Sequence, residues 1–291
     1  MYILLYNPKS KNKKSFKILT KIITYFDNRN MQYDHKNLLL IQDYQDFFDS
    51  IKTDQKLVVI GGDGTFSTFM NNISNIDVKN DIYFYPAGTG NDFVKNLNSD
   101  YNIKMFNGID NLQKVKADLP IVVHNNDERH FINGIGLGFD GEVAKTVNTS
   151  KMKNTFSYLT TAIKTIFSFE TFNIEVTVDK EKVKLKNVWL IAIQNGKFFG
   201  GGMMICPKAS LSDEKLDICV VHSLSKMKFL RLLPSVFSGN HLKHHQYIYY
   251  NQGSKISVVL DTPKCGQIDG DLLNETTEIT ASLKKKFFDI F

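Results

Sequence analysis

Two glycine-rich turns, each directly after a strand-like segment, are the parts of this 291-residue sequence best suited to chemistry. The first, Gly61-Gly62-Asp63-Gly64-Thr65, follows the apolar run Leu57–Ile60 and precedes a helix-like segment. Glycines let the main chain turn sharply and approach a ligand closely. A helix start adds unpaired N–H groups and the positive end of a dipole. Asp63 can hold the turn or face a metal, and Thr65 can cap the helix or donate to an oxygen. The first turn therefore predicts a phosphate site.

The second turn, Pro86-Ala87-Gly88-Thr89-Gly90-Asn91-Asp92-Phe93, follows the next strand-like segment, Ile82–Tyr85. Parallel sheets bind ligands where the carboxyl ends of neighbouring strands meet, so Gly88, Thr89, Asn91 and Asp92 are expected beside the first turn. The sequence contains no Gly-x4-Gly-Lys-Ser/Thr, which excludes a P-loop NTPase. It also has no Gly-x-Gly-x-x-Gly after its first strand, which counts against a dehydrogenase.

The elements that would position these turns divide the chain into two parts. Over residues 1–118, strand-like and helix-like segments alternate, which predicts an α/β domain with a parallel, Rossmann-like sheet. Residues 119–275 carry short β-prone runs, among them His130–Asn133, which predict a mostly antiparallel β-sandwich or flattened barrel. Met152–Phe169 and Met227–Phe237 have helical spacing within this second part.

Composition and charge limit the compartments and the binding partners that can be expected for this protein. Three well-separated cysteines argue for reduced thiols in a cytoplasmic setting, and no apolar run approaches the length of a membrane span. The net charge of the chain is +6. Residues 218–260 contain several basic residues and no Asp or Glu. A positive surface attracts nucleic acid, anionic lipid headgroups or phosphate-rich small molecules. No nucleic-acid-binding module is recognisable, so we expect no nucleic-acid partner.

Taken in order along the chain, these motifs resemble the catalytic domain of the diacylglycerol kinase and sphingosine kinase superfamily, and above all the bacterial soluble lipid kinases. Further shared motifs are Asn7-Pro8, Asn133–Gly141, Asn195–Ala209, Ser212–Asp217, Leu230–His245 and Ile268–Asp271. The resemblance implies an ATP-dependent lipid kinase with a nucleotide site on the first domain and a lipid site in the cleft with the second. The most direct expectation is phosphorylation of diacylglycerol to phosphatidic acid. The resemblance also implies that the last residues of the chain, about 276–291, fold back onto the first domain.

The resemblance also assigns roles to single residues. It implies that Asn7, Pro8, Ser10, the first turn and Thr89 contact ATP. It implies that Asp269 and Asp271 supply the catalytic carboxylate. The turn containing Ser210, Asp213 and Lys215 would hold Mg²⁺. The basic segment 226–245 would contact the inner face of the membrane peripherally, and a homodimer is left open.

Four positions depart from the family pattern: Lys11, Thr68 and Glu214 replace a glycine, an acidic residue and a glycine, and Asp271 replaces a glutamate. Two alternatives therefore stay open. One is a kinase for another acceptor: a sphingoid base, another lipid, or NAD, since NAD kinases share Gly-Gly-Asp-Gly. The other is an inactive nucleotide- or lipid-binding regulator.

Overall fold

The computed structural model describes residues 1–9, 14–97, 115–124, 127–149, 155–283 and 287–290. The chain divides into two compact units, one of residues 1–117 with 286–291 and one of residues 118–285. The sequence predicts this boundary near Asp118 and a return of residues from about 276 to the first domain. In the structure the return begins at Lys286, because residues up to Ser282 are paired in an antiparallel sheet of the second unit.

The first unit is built around a six-stranded sheet in the order β2-β1-β3-β4-β15-β5. Registers show β1 parallel to β2 and to β3, β3 parallel to β4, and β4 parallel to β15. The elements are β1 (Tyr2–Tyr6), α1 (Lys14–Asp27), β2 (Tyr33–Asn37), a 3₁₀ turn (Leu38–Leu40), α2 (Tyr44–Asp49), β3 (Lys56–Gly61), α3 (Asp63–Ile73), β4 (Ile82–Pro86), α4 (Asp92–Leu97), β5 (Val115–Asp118) and β15 (Phe287–Ile290).

The central strands of this sheet are buried on both faces. Tyr2 and Leu4 pack with Leu19 and Phe26 of α1 in one apolar cluster. The alternate residues Ile3 and Leu5 of β1 point to the opposite face and are buried as well. Burial on two faces explains why β1, like β3, is a continuous apolar run and shows no polar alternation. The predicted α/β domain with a parallel sheet is confirmed.

The second unit is a nine-stranded, mostly antiparallel structure in which two long strands each pair with three other strands. Its elements are β6 (Ile121–His124), β7 (Asp127–His130), β8 (Gly134–Gly138), α5 (Phe139–Thr149), α6 (Thr155–Ser168), β9 (Phe172–Val178), β10 (Glu181–Gln194), β11 (Leu216–His222), α7 (Lys226–Leu232), 3₁₀ turns (Leu233–Ser238 and Asn240–Lys243), β12 (Ile248–Gly253), β13 (Lys255–Ile268) and β14 (Asp271–Ser282).

Strands β10 and β13 pair with β9 along their first halves and with β8 along their second halves. The change of partner follows an irregularity between Leu185 and Val188 in β10 and between Val259 and Lys264 in β13. Bulges of this kind bend a strand from one sheet into another, which gives a sandwich with shared corners. The predicted antiparallel β-rich domain is confirmed.

Two element predictions in this unit were wrong in their bounds. The strand expected over His130–Asn133 ends at His130, because the main-chain N–H groups of Ile132 and Asn133 bind a carboxylate described below and not a neighbouring strand. The helix expected over Met227–Phe237 becomes a 3₁₀ turn after Leu232. Pro234 has no N–H to donate to the carbonyl four residues earlier, so the α-helix cannot continue.

Candidate active site

The first glycine turn connects β3 to the start of α3. Gly62 is the N-cap of α3, has extended main-chain angles, and forms no side-chain capping hydrogen bond. A Cβ added to Gly61 would lie 2.5 Å from the Cβ of Thr65, so only glycine fits there. A Cβ added to Gly64 would meet no atom within 4 Å. There is therefore open space beside Gly64, and no side chain caps the N–H groups of the helix start, as an anion site requires.

The second glycine turn packs directly on the first, main chain against main chain. A Cβ on Gly88 would lie 2.7 Å from the Cα of Gly62, and the amide of Ala87 donates to the carbonyl of Gly61 over 2.6 Å. Asn91 adopts a left-handed φ of 52°. Its side chain accepts from the amide of Gly88 at 2.9 Å and donates to the carbonyl of Gly88 at 3.2 Å. The structure thus brings the two predicted turns together at one sheet edge.

Two carboxylates in these turns form contacts within the protein. Asp63 Oδ1 accepts from the amide of Phe93 over 3.0 Å, which caps α4 and joins the first turn to the second. Asp92 has a side chain only 6% exposed and forms an ion pair with Lys95 at 3.2 Å. Of the two roles that the sequence left open for Asp63, the structure shows that of holding the turn. Thr89 is exposed, so its hydroxyl is accessible at the same edge.

The end of β1 lies beside the same turn. Asn7 Nδ2 is 3.4 Å from Thr65 Oγ1, and Asn7 Oδ1 accepts from the amide of Lys9 at 2.9 Å. Pro8 is half-buried next to it. Ser10, also expected to contact the nucleotide, lies outside the described residues, as does Lys11. Residues from three neighbouring strand ends, those of β1, β3 and β4, therefore surround the start of α3.

In the second unit, Asp269 and Gly270 form the two-residue turn between β13 and β14. Their φ values of 51° and 92° are both left-handed, as a tight hairpin requires, and Asp-Gly is a favoured pair for it. The Asp269 carboxylate accepts three main-chain N–H groups, from Ile132, Asn133 and Gly134, at 2.8–3.1 Å. With its oxygens occupied in this way, Asp269 anchors the hairpin to the segment before β8.

Asp271, the first residue of β14, is the carboxylate of this turn that remains accessible. Its side chain is 65% exposed and its Oδ2 contacts a guanidinium N–H group of Arg129 at 2.5 Å. Arg129 belongs to β7, and sequence reasoning did not identify it. The geometry therefore gives the two acidic residues predicted as catalytic different roles, an anchoring role for Asp269 and an accessible acceptor for Asp271.

A second chain of contacts connects the same turn to a buried carboxylate. The Gly270 amide donates to Gln267 Oε1 at 2.6 Å, and Gln267 Nε2 donates to Asp140 Oδ2 at 3.0 Å. Asp140 and Gln267 are each 6% exposed. Neither residue was predicted as functional. Asp140 lies within the Asn133–Gly141 motif and Gln267 directly precedes Ile268, so their positions in and beside shared motifs were the available signal.

Asp140 is the polar residue in the wall of an apolar pocket in the second unit. The remaining lining comes from α5, α6, α7, the following 3₁₀ turn, neighbouring strands and the segment between β10 and β11: Phe139, Val143, Ala162, Leu190, Phe199, Met203, Ile205, Val221, Phe229, Leu232, Leu233 and Val236. A pocket with an almost entirely apolar wall suits a hydrocarbon chain, and a single carboxylate can orient one polar group.

The turn predicted to hold Mg²⁺ contains oxygen donors from three side chains. Ser210 and Ser212 hydroxyls are 3.4 Å apart, and Asp213 Oδ1 accepts from the amide of Lys215 at 3.1 Å. Lys215 can offer only its main-chain carbonyl, since its ammonium is itself a cation. Among the residues that the structure describes, no group of three or more His, Cys, Asp or Glu could hold a metal. One carboxylate with hydroxyls fits only Mg²⁺ that keeps most of its waters.

Comparison with known proteins places the whole chain in a family. Residues 1–120 match the diacylglycerol kinase catalytic domain, and residues 133–283 match the YegS C-terminal NAD kinase beta sandwich-like domain. The two matches define a class of protein that joins a diacylglycerol kinase catalytic domain to an NAD kinase beta sandwich-like domain. Within this class, the chain belongs to the diacylglycerol kinase family of lipid kinases with a YegS-type second domain, as the resemblance suggested.

Two curated relatives share the name "Putative lipid kinase". YtlR of Bacillus subtilis is 29% identical over 206 residues, which is 65% of this chain and 65% of that protein. SaurJH9_0749 of Staphylococcus aureus strain JH9 is 28% identical over 76% of this chain and 72% of its own length. A crystal structure of a diacylglycerol kinase from Bacillus anthracis is 19% identical, covers 99% of this chain and 95% of its own, and superposes with a TM-score of 0.66, which supports the fold.

Proposed function

We propose that the protein is an ATP-dependent kinase that transfers the γ-phosphate to a lipid hydroxyl, with diacylglycerol as the acceptor and phosphatidic acid as the product. The observation that carries the lipid assignment is the apolar pocket inside the second unit, with Asp140 in its wall. A soluble acceptor such as NAD carries sugars and phosphates that need many polar partners, and this apolar wall does not provide them. An acyl chain would fill it.

In this proposal the first unit binds the phosphates of ATP. The open helix start at Gly62–Gly64 supplies main-chain N–H donors, and Asn7, Thr65 and Thr89 supply short polar groups at the same sheet edge. Phosphoryl transfer needs placement and charge neutralisation more than covalent chemistry. Donors held by packed main chain meet that requirement at little cost in reorganisation.

Asp271 is proposed to accept the proton of the attacking hydroxyl. The lipid oxygen forms a bond to the γ-phosphorus, the bond from that phosphorus to the bridging oxygen of ADP breaks, and the hydroxyl proton passes to Asp271. Arg129 donates to Oδ2 of this carboxylate and so fixes its orientation before the reaction. Bound Mg²⁺ would neutralise phosphate charge, and Ser210, Asp213 and Lys215 are the residues proposed to hold a Mg²⁺ that supports the site.

The helices that line the pocket also suggest how the protein reaches its substrate. Ala162 and Phe229 line the pocket from α6 and α7, while Phe167, Met227 and Phe237, on α6, α7 and the 3₁₀ turn, are 50–58% exposed. Lys226 Nζ donates to the carbonyl of Phe167 at 2.5 Å, which holds the start of α7 beside the end of α6.

Exposed apolar side chains next to Lys228 and Arg231, in a stretch without any acidic residue, match an anionic bilayer surface. Among the described residues no helix is long and apolar enough to cross a bilayer. We therefore propose peripheral association with the inner face of the membrane through this face, here called the α6–α7 face and consisting of Phe167, residues 226–231 and Phe237. Lipid would enter the pocket from there.

The decisive experiment is incubation with γ-labelled ATP, Mg²⁺ and a panel of lipid alcohols and NAD in anionic mixed micelles. We expect label in phosphatidic acid, and a loss of roughly 10²–10⁴-fold in kcat for Asp271→Asn with the ATP dissociation constant unchanged. Asp261→Asn is the matched control, because that exposed carboxylate contacts only Asn173 and Thr262 among the bonds described. Label in NAD alone, or ATP binding with no labelled lipid, would overturn the proposal.

A further inference from the structure

The hydrogen-bonded bridge between the apolar pocket and the catalytic turn carries a further inference, which rests on the proposed function. One end of the bridge is Asp140, in the pocket wall at the first turn of α5. The other end is the Gly270 amide, one residue before Asp271. Gln267 is the side chain between them and uses its carbonyl and its amide in opposite directions.

Both hydrogen bonds of Gln267 can couple the position of the pocket wall to the position of the turn. Gln267 and Asp140 are buried, so water cannot easily replace either partner, and the contact between them involves an ionisable acceptor. Gln267 lies in β13, whose register places it opposite Gly136 of β8 and directly before the Ile268–Asp271 pair that closes the hairpin. A shift at Gln267 is therefore passed to the turn by the same strand.

The neighbouring strand leaves room for this bridge. A Cβ added to Gly136 would lie 2.0 Å from Asp140 Oδ2 and 3.0 Å from Gln267 Nε2. Even an alanine at this position would collide with both partners. The glycine in β8 thus lets the carboxylate and the amide meet above the strand, which gives the Gly-x-Gly pattern of residues 134–136 a physical function at this end of the sheet.

We propose that Gln267 is a positioning residue that couples the acceptor pocket, through Asp140, to the turn that presents Asp271. Asp269 anchors the hairpin to the segment before β8, whereas Gln267 fixes the next peptide relative to the pocket wall. An acceptor in the pocket and the carboxylate that takes its proton are then held at fixed positions relative to each other. Placement of this kind matters because a displacement of about 1 Å can cost roughly 10²-fold in rate.

The test uses a set of charge-swapped variants. In Gln267→Glu, a carboxylate faces Asp140 and the bridge is lost. In the double variant Asp140→Asn with Gln267→Glu, the introduced amide can donate to one oxygen of the introduced carboxylate while the other oxygen still accepts from Gly270, so both contacts return. Asp140→Asn alone keeps an acceptor for the Gln267 amide. Kinetics with ATP and diacylglycerol in anionic micelles, ATP titrations and melting temperatures are measured for each.

We expect Gln267→Glu to lower kcat for lipid phosphorylation by roughly 10–100-fold, with the ATP dissociation constant unchanged, and the double variant to recover to within about threefold of the native rate. Gln252→Glu is the matched control, since Gln252 donates to the buried carboxylate of Asp217 at 3.0 Å in the same unit and does not contact the hairpin turn. It should lower the melting temperature and leave kcat per folded molecule unchanged.

Two results would overturn the inference alone. One is an active native enzyme whose Gln267→Glu variant, folded at the assay temperature, keeps the native kcat. The other is a double variant that regains its melting temperature and does not regain kcat. If Gln267→Glu does not fold, the double variant still decides the question by its kcat. A native protein that phosphorylates no lipid overturns both this inference and the proposed function, so the two failures are distinguishable.

Discussion

Gly64→Ala should make the protein more stable and less able to bind ATP, a combination that follows from two features of one position. Gly64 lies in the first turn of α3, without a left-handed φ, and an added methyl group meets no atom within 4 Å. Alanine is favoured over glycine in a helix by roughly 0.5–1 kcal/mol, which corresponds to a rise of up to about 4 °C in melting temperature.

The same methyl group would occupy the space in which we place a phosphate. Loss of one hydrogen bond to a charged group is worth about 1.5–3 kcal/mol, so the ATP dissociation constant should rise roughly 10- to 100-fold. Calorimetric titration with ATP and Mg²⁺, together with a thermal melt, measures both quantities on one sample. The kinase assay should show a raised KM for ATP.

Two control variants test whether the effect is specific to Gly64. Thr68→Ala changes an exposed residue one turn further along α3 and should leave ATP binding unchanged, although its hydroxyl donates to the carbonyl of Gly64. Gly88→Ala places its methyl group 2.7 Å from the Cα of Gly62 and should destabilise the first unit, because main chain must move. Native ATP affinity in a stable Gly64→Ala protein would refute the assignment of the phosphate site to this helix start.

Three further predictions concern the second unit. Ala162→Trp should fill the pocket and reduce lipid phosphorylation at least tenfold, measured with diacylglycerol micelles, while the ATP dissociation constant stays native. Burial raises the pKa of Asp217 to about 6 from an ordinary 3.8, so the native protein should lose stability as the pH rises from about 4 to 6. Asp217→Asn should remove this loss and gain up to about 3 kcal/mol at pH 7 in denaturant titrations. Met227→Asp with Phe237→Asp should weaken sedimentation with anionic vesicles at least tenfold, since each apolar side chain contributes about 1.5–3 kcal/mol when buried.

Each of these predictions has a matched control and a contrary outcome. For the pocket, Leu190→Met alters the wall with little change in volume, and an unaffected Ala162→Trp enzyme would exclude this pocket as the acceptor site. For Asp217, the comparison is Asp261, whose pKa is lowered by the main-chain N–H of Asn173, so Asp261→Asn should not gain stability at neutral pH. For the vesicles, Leu40→Asp changes a side chain 75% exposed in the first unit, and equal losses in both proteins would refute the α6–α7 face.

The sign of the Asp217 effect follows from the group that is buried. Asp217 is fully buried, and one of its oxygens, Oδ1, accepts from Gln252 and from the Tyr250 hydroxyl. Within the described residues, Oδ2 has no partner. The folded state therefore holds the proton more tightly than the unfolded state, and its advantage is complete below the unfolded pKa and lost through the folded pKa. A melting temperature that rises across this pH window would contradict the assignment.

Local sequence was sufficient wherever the signal and the structure arise from neighbouring residues. The run Leu57–Ile60 followed by Gly61 and Gly62 predicts a buried strand and a sharp turn because hydrophobicity and main-chain freedom are properties of those residues alone. The alternation of strands and helices predicts the parallel sheet, and parallel order brings the turns after β3 and β4 to one edge. The tight hairpin at Asp269 and Gly270 has a local cause too, because both residue types tolerate the left-handed φ that it requires.

Tertiary structure decided what the side chains of those motifs contact. Asp269 and Asp271 are two residues apart and chemically identical, yet one is surrounded by amides from residues 132–134 and the other faces Arg129. Those partners lie more than 130 positions away in the chain, and Gln267 reaches Asp140 over 127. No periodicity or spacing in one sequence specifies which distant strand will be adjacent. Burial, hydrogen-bond partners and the pocket wall depend on that pairing, so only the folded chain determines them.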